Sequence, residues 1–85
     1  MDSFKAFKEK LDQEHSWPGI YLFKFVVPTA KQKEVREKFP HESFTEKKSK
    51  AGNYISFTLK KNIKSSDEVV DIYLKAQEID GLIAL

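Results

Sequence analysis

The chain has 85 residues, of which 33% are charged, and a formal net charge of +2 at pH 7. This length allows one domain with a two-layer core and leaves little room for a deep enzyme cleft beside it. The sequence contains no cysteine, which excludes disulfides and thiolate metal sites and fits a reducing compartment. It also shows no membrane-spanning apolar run and no signal-peptide pattern. We therefore expect one cytoplasmic domain over residues 1–85, with no membrane association.

Residues 2–14 predict a short amphipathic helix at the N-terminus of this domain. Phe4, Phe7 and Leu11 recur at spacings of three and four and form one apolar stripe. The stripe can pack on its own domain or on a partner. Pro18 and the glycine that follows it end the helix.

The segment from Ile20 to Val27 predicts the first strand, because both of its alternating faces are largely apolar, as in a central strand. Lys24 is the polar exception, and a lysine there either extends its ammonium into water or contacts a ligand. After this strand, Thr29 is a candidate N-cap for a helix over residues 30–39, which Pro40 closes.

Residues 43–48 predict a second strand at a sheet edge, since Phe44 is its only large apolar residue. The lysines in and after this segment would prevent the edge from pairing with another chain. A turn over residues 49–52 closes a hairpin with the third strand. That strand, residues 54–60, alternates polar with apolar side chains and is half-buried. Its apolar face carries Ile55, Phe57 and Leu59.

The second crossover helix is predicted to begin at a capping box, in which Ser65 is followed three residues later by Glu68. Gly81 suits the left-handed conformation that ends such a helix, and residues 82–85 form a short last strand. The core-facing stripe of the helix consists of Val69, Ile72, Tyr73, Ala76 and Ile79.

The predicted order of elements is one helix followed by β-α-β-β-α-β. Right-handed crossovers fold this order into an α+β, ferredoxin-like sandwich. Its four-stranded antiparallel sheet has the order 4-1-3-2, with two helices on one face and the N-terminal helix in addition. The first and third strands, which are the most apolar pair, become neighbours at the centre. The face opposite the helices stays uncovered.

This uncovered face is the main surface that the sequence offers for function. It would present a lysine, three hydroxyl-bearing residues and two aliphatic residues: Lys24, Tyr54, Ser56, Thr58, Leu22 and Val26. A lysine among hydroxyls can bind a carboxylate or a phosphate, and aliphatic side chains add apolar contact area. We expect a non-enzymatic regulatory or interaction module that binds a protein partner or a small metabolite there. The same face also suits the interface of a homodimer.

The sequence indicates no catalytic, cofactor or metal site. The two histidines, His15 and His41, have no second ligand at metal spacing and no carboxylate partner. The three glycines form no phosphate-binding loop. We therefore expect no enzyme activity, no cofactor and no bound metal.

An RNA-binding alternative rests on the third strand. Residues 50–57 match the end of the signature of RNA-recognition modules, but Ala51 and Gly52 replace its glycine and one stacking aromatic residue. Tyr54 would stack on a base, and nearby lysines would either contact phosphates or guard the sheet edge. These lysines are Lys47, Lys48, Lys50, Lys60, Lys61 and Lys64. Because the second aromatic residue is missing and the net charge is low, we expect no specific binding of nucleic acid.

Several short motifs resemble the YbeD-like family of small bacterial proteins, from about Phe4 to Leu85. They are Trp17-Pro18, Lys24, Gly52-Asn53-Tyr54-x-Ser56, Ser66-x-Glu68, Ile72-Tyr73 and Ile79-x-Gly81-Leu82. The resemblance implies a ferredoxin-like fold similar to that of ACT regulatory domains, which bind small molecules at sheet or subunit edges. It implies no established activity. The sequence departs from the family at Ile20, where proline is frequent, and in its sparsely apolar first crossover helix.

Overall fold

The computed structural model describes residues 4–85, so the predicted start of the first helix at residues 2 and 3 lies outside the described residues. In chain order the elements are α1 (Lys5–Glu14), β1 (Gly19–Pro28), a 3₁₀ turn (Thr29–Lys31), α2 (Gln32–Lys38), β2 (Thr45–Lys48), β3 (Tyr54–Ile63), α3 (Ser66–Gln77) and β4 (Ile83–Ala84). Within this part of the chain, no helix is long and apolar enough to cross a membrane.

The four strands form one antiparallel sheet in the order β2-β3-β1-β4, which is the predicted order 4-1-3-2 read from its other edge. β1 and β3 lie side by side at the centre and pair over ten residues each, from Gly19 with Ile63 to Pro28 with Tyr54. The predicted ferredoxin-like arrangement is therefore confirmed.

The core lies between the sheet and the helices, on the face that alternation assigned to it. Phe23, Phe25 and Phe57 are fully buried there. The Tyr73 ring of α3 sits among aromatic rings of this core, with its centroid 5.4 Å from that of Phe23. Its hydroxyl lies 3.2 Å from the Tyr21 hydroxyl. Burial and this hydrogen bond raise the pKa of Tyr73 above its usual range.

The apolar stripe of α1 packs on its own domain. Leu11 is buried, and the Phe7 ring meets the Tyr73 ring edge-on with centroids 5.7 Å apart. The Lys8 ammonium also lies 2.7 Å from the Asp67 carboxylate of α3. α1 therefore extends the helix layer beside α3.

Two predicted helix caps differ from the structure. The Thr29 hydroxyl donates to the Gly52 carbonyl at 2.6 Å, which joins β1 to the β2–β3 hairpin, and α2 begins only at Gln32. Ser65 does occupy the N-cap position of α3, but its side chain makes no capping hydrogen bond. Instead the Glu68 N–H donates to the Ser65 carbonyl at 3.2 Å, which satisfies that donor without a capping box.

The edge strands are shorter than predicted, at four residues in β2 and two in β4. Phe44, assigned to β2 by its pattern, precedes the strand and packs edge-on against Phe57. Gly81 has the predicted left-handed conformation, with φ of +83°, but it does not cap the helix, because α3 ends at Gln77 and Gly81 lies in the turn that follows.

Candidate functional site

The sheet face that the helices leave open carries all six residues predicted to bind a partner. Strand pairing places Lys24 opposite Thr58 and Val26 opposite Ser56 on neighbouring strands. Leu22 is 54% exposed and Tyr54 is 49% exposed. The period-two alternation of the two central strands fixes these orientations, since the alternate side chains fill the core.

Four of these six residues line a shallow depression in the open face, about 560 Å³ in volume, which we call the trough. Leu22 and Thr58 are not among its lining residues. The trough is lined by Lys24, Val26, Lys47, Lys48, Ser49, Lys50, Tyr54, Ser56 and Leu85. It thus draws on both central strands, the hairpin and the residue after β4.

The trough is lined by four lysines and by no Asp or Glu side chain. Lys48 pairs with the core residue Ile55, so its side chain points to the helix side, and Lys24, Lys47 and Lys50 are the lysines that can present charge in the trough. Within residues 4–85 none of these lysines forms an ion pair. The acidic residue of β2, Glu46, pairs across strands with the core residue Phe57 and so lies on the helix side. There the Arg36 guanidinium hydrogen-bonds Glu46 and lowers the pKa of its carboxyl group. Among residues 4–85, the trough therefore gathers lysines that have no ion-pair partner.

The hairpin that carries three of the lysines is held by local hydrogen bonds. The Ser49 N–H donates to the Tyr54 carbonyl at 2.7 Å, and the Tyr54 N–H donates to the Ser49 hydroxyl at 3.1 Å. Gly52, with φ of +80°, makes the turn and donates its N–H to the Ser49 carbonyl at 2.9 Å. The Tyr54 hydroxyl has no hydrogen-bond partner among the described residues. It is therefore available to a ligand.

The six lysines that the sequence grouped as one basic patch occupy different surfaces. Lys60 lies on the open face opposite Leu22 but outside the trough. Lys61 pairs with Glu42 at 2.6 Å, and both residues line a second depression of about 390 Å³ together with Lys64. The structure thus joins only the remaining three, Lys47, Lys48 and Lys50, to the trough.

Sequence reasoning did not place Leu85 at the site, nor did it unite Lys24 with the hairpin lysines. Pairing of Val26 with Ile83, and the bond from the Leu85 N–H to the Lys24 carbonyl at 2.9 Å, bring Leu85 to the open face. The alternation of residues 82–85 indicates that Leu85 shares a face with Ile83. It does not indicate which face that is until the register of the last strand against β1 is known.

Comparison with family models gives a match to a family described as a protein of unknown function (DUF493), over residues 13–85. Comparison with curated proteins and with solved structures gave no significant match. The matched segment runs from the end of α1 through the whole sheet and both crossover helices. The chain therefore belongs to the DUF493 family.

Proposed function

We propose that this protein is a non-enzymatic regulatory or interaction module of the cytoplasm that binds an acidic ligand in the trough. The ligand is a small metabolite or the acidic segment of a protein partner. One observation carries the proposal: three lysines, Lys24, Lys47 and Lys50, can present their ammonium groups in the trough, and no Asp or Glu side chain lines it. Ammonium groups form charge-assisted hydrogen bonds with carboxylates and phosphates, which are stronger than those between neutral groups.

The other lining residues indicate a ligand that is part polar and part apolar. The Tyr54 and Ser56 hydroxyls can each donate to an anionic oxygen, while Val26 and Leu85 offer aliphatic contact. A volume of about 560 Å³ lies within the usual size range of small-molecule sites. A carboxylate- or phosphate-bearing compound with a small apolar group fits this combination.

The resemblance to the YbeD-like family supports a regulatory role rather than catalysis. ACT regulatory domains, to which that family is similar in fold, bind small molecules without transforming them. Similarity of fold is an analogy, which neither demonstrates ligand binding nor identifies a ligand. The acidic character of the ligand follows from the lysines of this chain.

The proposal is tested by NMR titration of ¹⁵N-labelled protein with citrate and, separately, with a hexaglutamate peptide. We expect the amides of Lys24, Tyr54 and Ser56 to shift with at least one of the two probes. Lys24→Gln and Lys47→Gln should each weaken binding by about 1.5- to 5-fold, the usual effect of an exposed ion pair. Lys10→Gln is the matched control, since it removes the same charge from α1. Equal weakening in the control, or no shift with either probe, would contradict the proposal.

The second candidate is single-stranded RNA, and the exposed ring of Tyr54 among the trough lysines is the observation that favours it. Stacking on this ring would add roughly 1–3 kcal/mol, so Tyr54→Ala should lose about tenfold or more in affinity for a mixed-sequence RNA. Affinity should also fall steeply with salt, with a slope of about −0.7 per phosphate neutralised. Shifts that remain unchanged in Tyr54→Ala would indicate charge attraction and exclude base stacking.

A further inference from the structure

Strand pairing arranges the residues of the trough in rows that cross the sheet. The middle row consists of Val26, Ser56 and Lys47, which lie side by side on three neighbouring strands. Lys24 lies beyond this row on one side, and Tyr54 lies beyond it on the other. Four residues of strand separate the row of Lys24 from the row of Tyr54, which is roughly 13–14 Å at about 3.4 Å per residue. These two side chains therefore mark opposite ends of the trough.

The two ends differ in chemistry. At one end the Tyr54 ring is exposed, and its hydroxyl has no hydrogen-bond partner among the described residues. Between the ends Val26 and Ser56 are half-buried, and the Ser56 hydroxyl already donates to the Lys47 carbonyl at 3.3 Å. At the other end the Lys24 ammonium has no ion pair within residues 4–85. The trough thus has a flat aromatic ring at one end and a cationic group at the other.

We propose that the acidic ligand of the trough is a nucleoside diphosphate or triphosphate. Its base stacks on the Tyr54 ring, and its phosphate chain extends past Lys47 towards Lys24. Bases have a flat π face that stacks on aromatic side chains. Lysine ammonium groups form charge-assisted hydrogen bonds with phosphate oxygens. The inference rests on the proposed function, since it names the chemical class of the acidic ligand.

The number of aromatic residues favours a free nucleotide over an RNA strand. Among the described residues that line the trough, Tyr54 alone is aromatic. The other side chains that β1 and β3 turn to the open face are aliphatic or polar. RNA-recognition modules stack more than one base on the aromatic residues of their sheet. A single exposed ring beside lysines suits one base and its own phosphates.

The charge of the trough indicates how the phosphates are neutralised. Proteins usually hold Mg²⁺ at nucleotide phosphates through carboxylates as well as through the phosphates themselves. No Asp or Glu side chain lines the trough, so its lysines take this role alone. We therefore expect the metal-free nucleotide to bind, and we expect Mg²⁺ to weaken binding because it competes with the lysines for phosphate oxygens.

NMR titration of the ¹⁵N-labelled full chain in EDTA, with ADP, pyrophosphate and adenosine as separate probes, tests the inference. ADP should bind more tightly than pyrophosphate, which has no base, and more tightly than adenosine, which has no phosphate. Its binding should shift the amides of both Tyr54 and Lys24. Addition of Mg²⁺ in excess over EDTA should weaken the binding of ADP.

Substitutions at Tyr54 isolate the contribution of the ring. Tyr54→Leu keeps an apolar side chain but removes the stacking surface, so ADP should bind about 5- to 150-fold more weakly, while pyrophosphate binding stays unchanged. Tyr54→Phe is the matched control, because it keeps the ring and should keep most of the affinity for ADP. Lys24→Gln should weaken the binding of ADP and of pyrophosphate alike.

The outcomes separate this inference from the proposed function. If pyrophosphate or citrate binds and ADP binds no more tightly, the anion site stands and the nucleotide inference is overturned. The same holds if Tyr54→Leu weakens ADP binding no more than Tyr54→Phe does, or if ADP binds only with Mg²⁺. A short single-stranded RNA that binds much more tightly than ADP would assign the trough to RNA and also overturn the inference. If citrate, the acidic peptide, pyrophosphate and ADP all fail to bind, both proposals fail.

Discussion

Replacing Phe57 by alanine tests the assignment of the two sheet faces most directly. The Phe57 side chain is fully buried at the centre of β3, opposite Phe25 on β1. Phe44 meets its ring edge-on, with the ring centroids 5.5 Å apart. Strand pairing on both sides keeps the backbone from collapsing into the space left by the ring. We therefore expect Phe57→Ala to cost about 3–5 kcal/mol.

That loss is a large part of the stability of the domain, which for a chain of this size is roughly 4–13 kcal/mol in total. The thermal midpoint should fall by about 12–40 °C, and urea unfolding followed by circular dichroism gives the change in free energy. Thr58→Ala is the control, since the next side chain lies on the opposite face and is half-buried, and its loss should change stability by no more than about 1 kcal/mol. An unchanged midpoint in Phe57→Ala, or an equal loss in Thr58→Ala, would refute the face assignment.

Two further predictions use the same urea assay. Gly81 has φ of +83°, and a Cβ added to it would lie 3.1 Å from the Pro28 ring, whereas Gly52 has φ of +80° and open space around it. Gly81→Ala should therefore cost about 1–3 kcal/mol and Gly52→Ala less, since the second carries only backbone strain; equal losses would show that the Pro28 contact is harmless. Burial and the Tyr21 hydroxyl raise the pKa of Tyr73, so the folded state keeps this proton at pH values where the unfolded chain loses it. Stability should therefore fall as the pH rises above about 10, and Tyr73→Phe should make that fall smaller; an identical pH profile in the variant would contradict this reasoning.

The sequence was sufficient for the fold because its strongest patterns are periodic. Alternation in the two central strands separated core from open face correctly, since a one-residue error would expose the buried phenylalanines. Contacts between distant segments were not accessible in the same way. Thr29 carries a normal N-cap signal, but its hydroxyl bonds to a carbonyl 23 residues away, in the turn of the hairpin. Nothing in the local pattern distinguishes these two uses of a threonine hydroxyl.

The candidate site shows the same limit. All six residues predicted for the open face lie on it, because the face follows from alternation. Which residues lie next to these six depends on the register between strands, which alternation does not give. In the structure Lys24 lies beside the hairpin lysines, and Lys61 lies on the other side of the sheet, paired with Glu42. The predicted basic patch, which grouped lysines that are close in sequence, therefore combined residues of the trough with residues of the second depression.

The net charge of +2 does not predict the charge of any one surface of this protein, because charged side chains are paired differently on the two faces of the sheet. On the helix side, two basic residues have acidic partners: Arg36 pairs with Glu46, and Lys38 with Glu78 at 2.7 Å. On the open face the lysines of the trough have none within residues 4–85. Salt screens exposed charges over about 8–10 Å, so the potential at the trough depends mainly on its own lysines and little on the ion pairs behind the sheet. The net charge of the chain therefore does not describe the trough, because opposite charges cancel over the whole sequence but not among the residues that line this one surface.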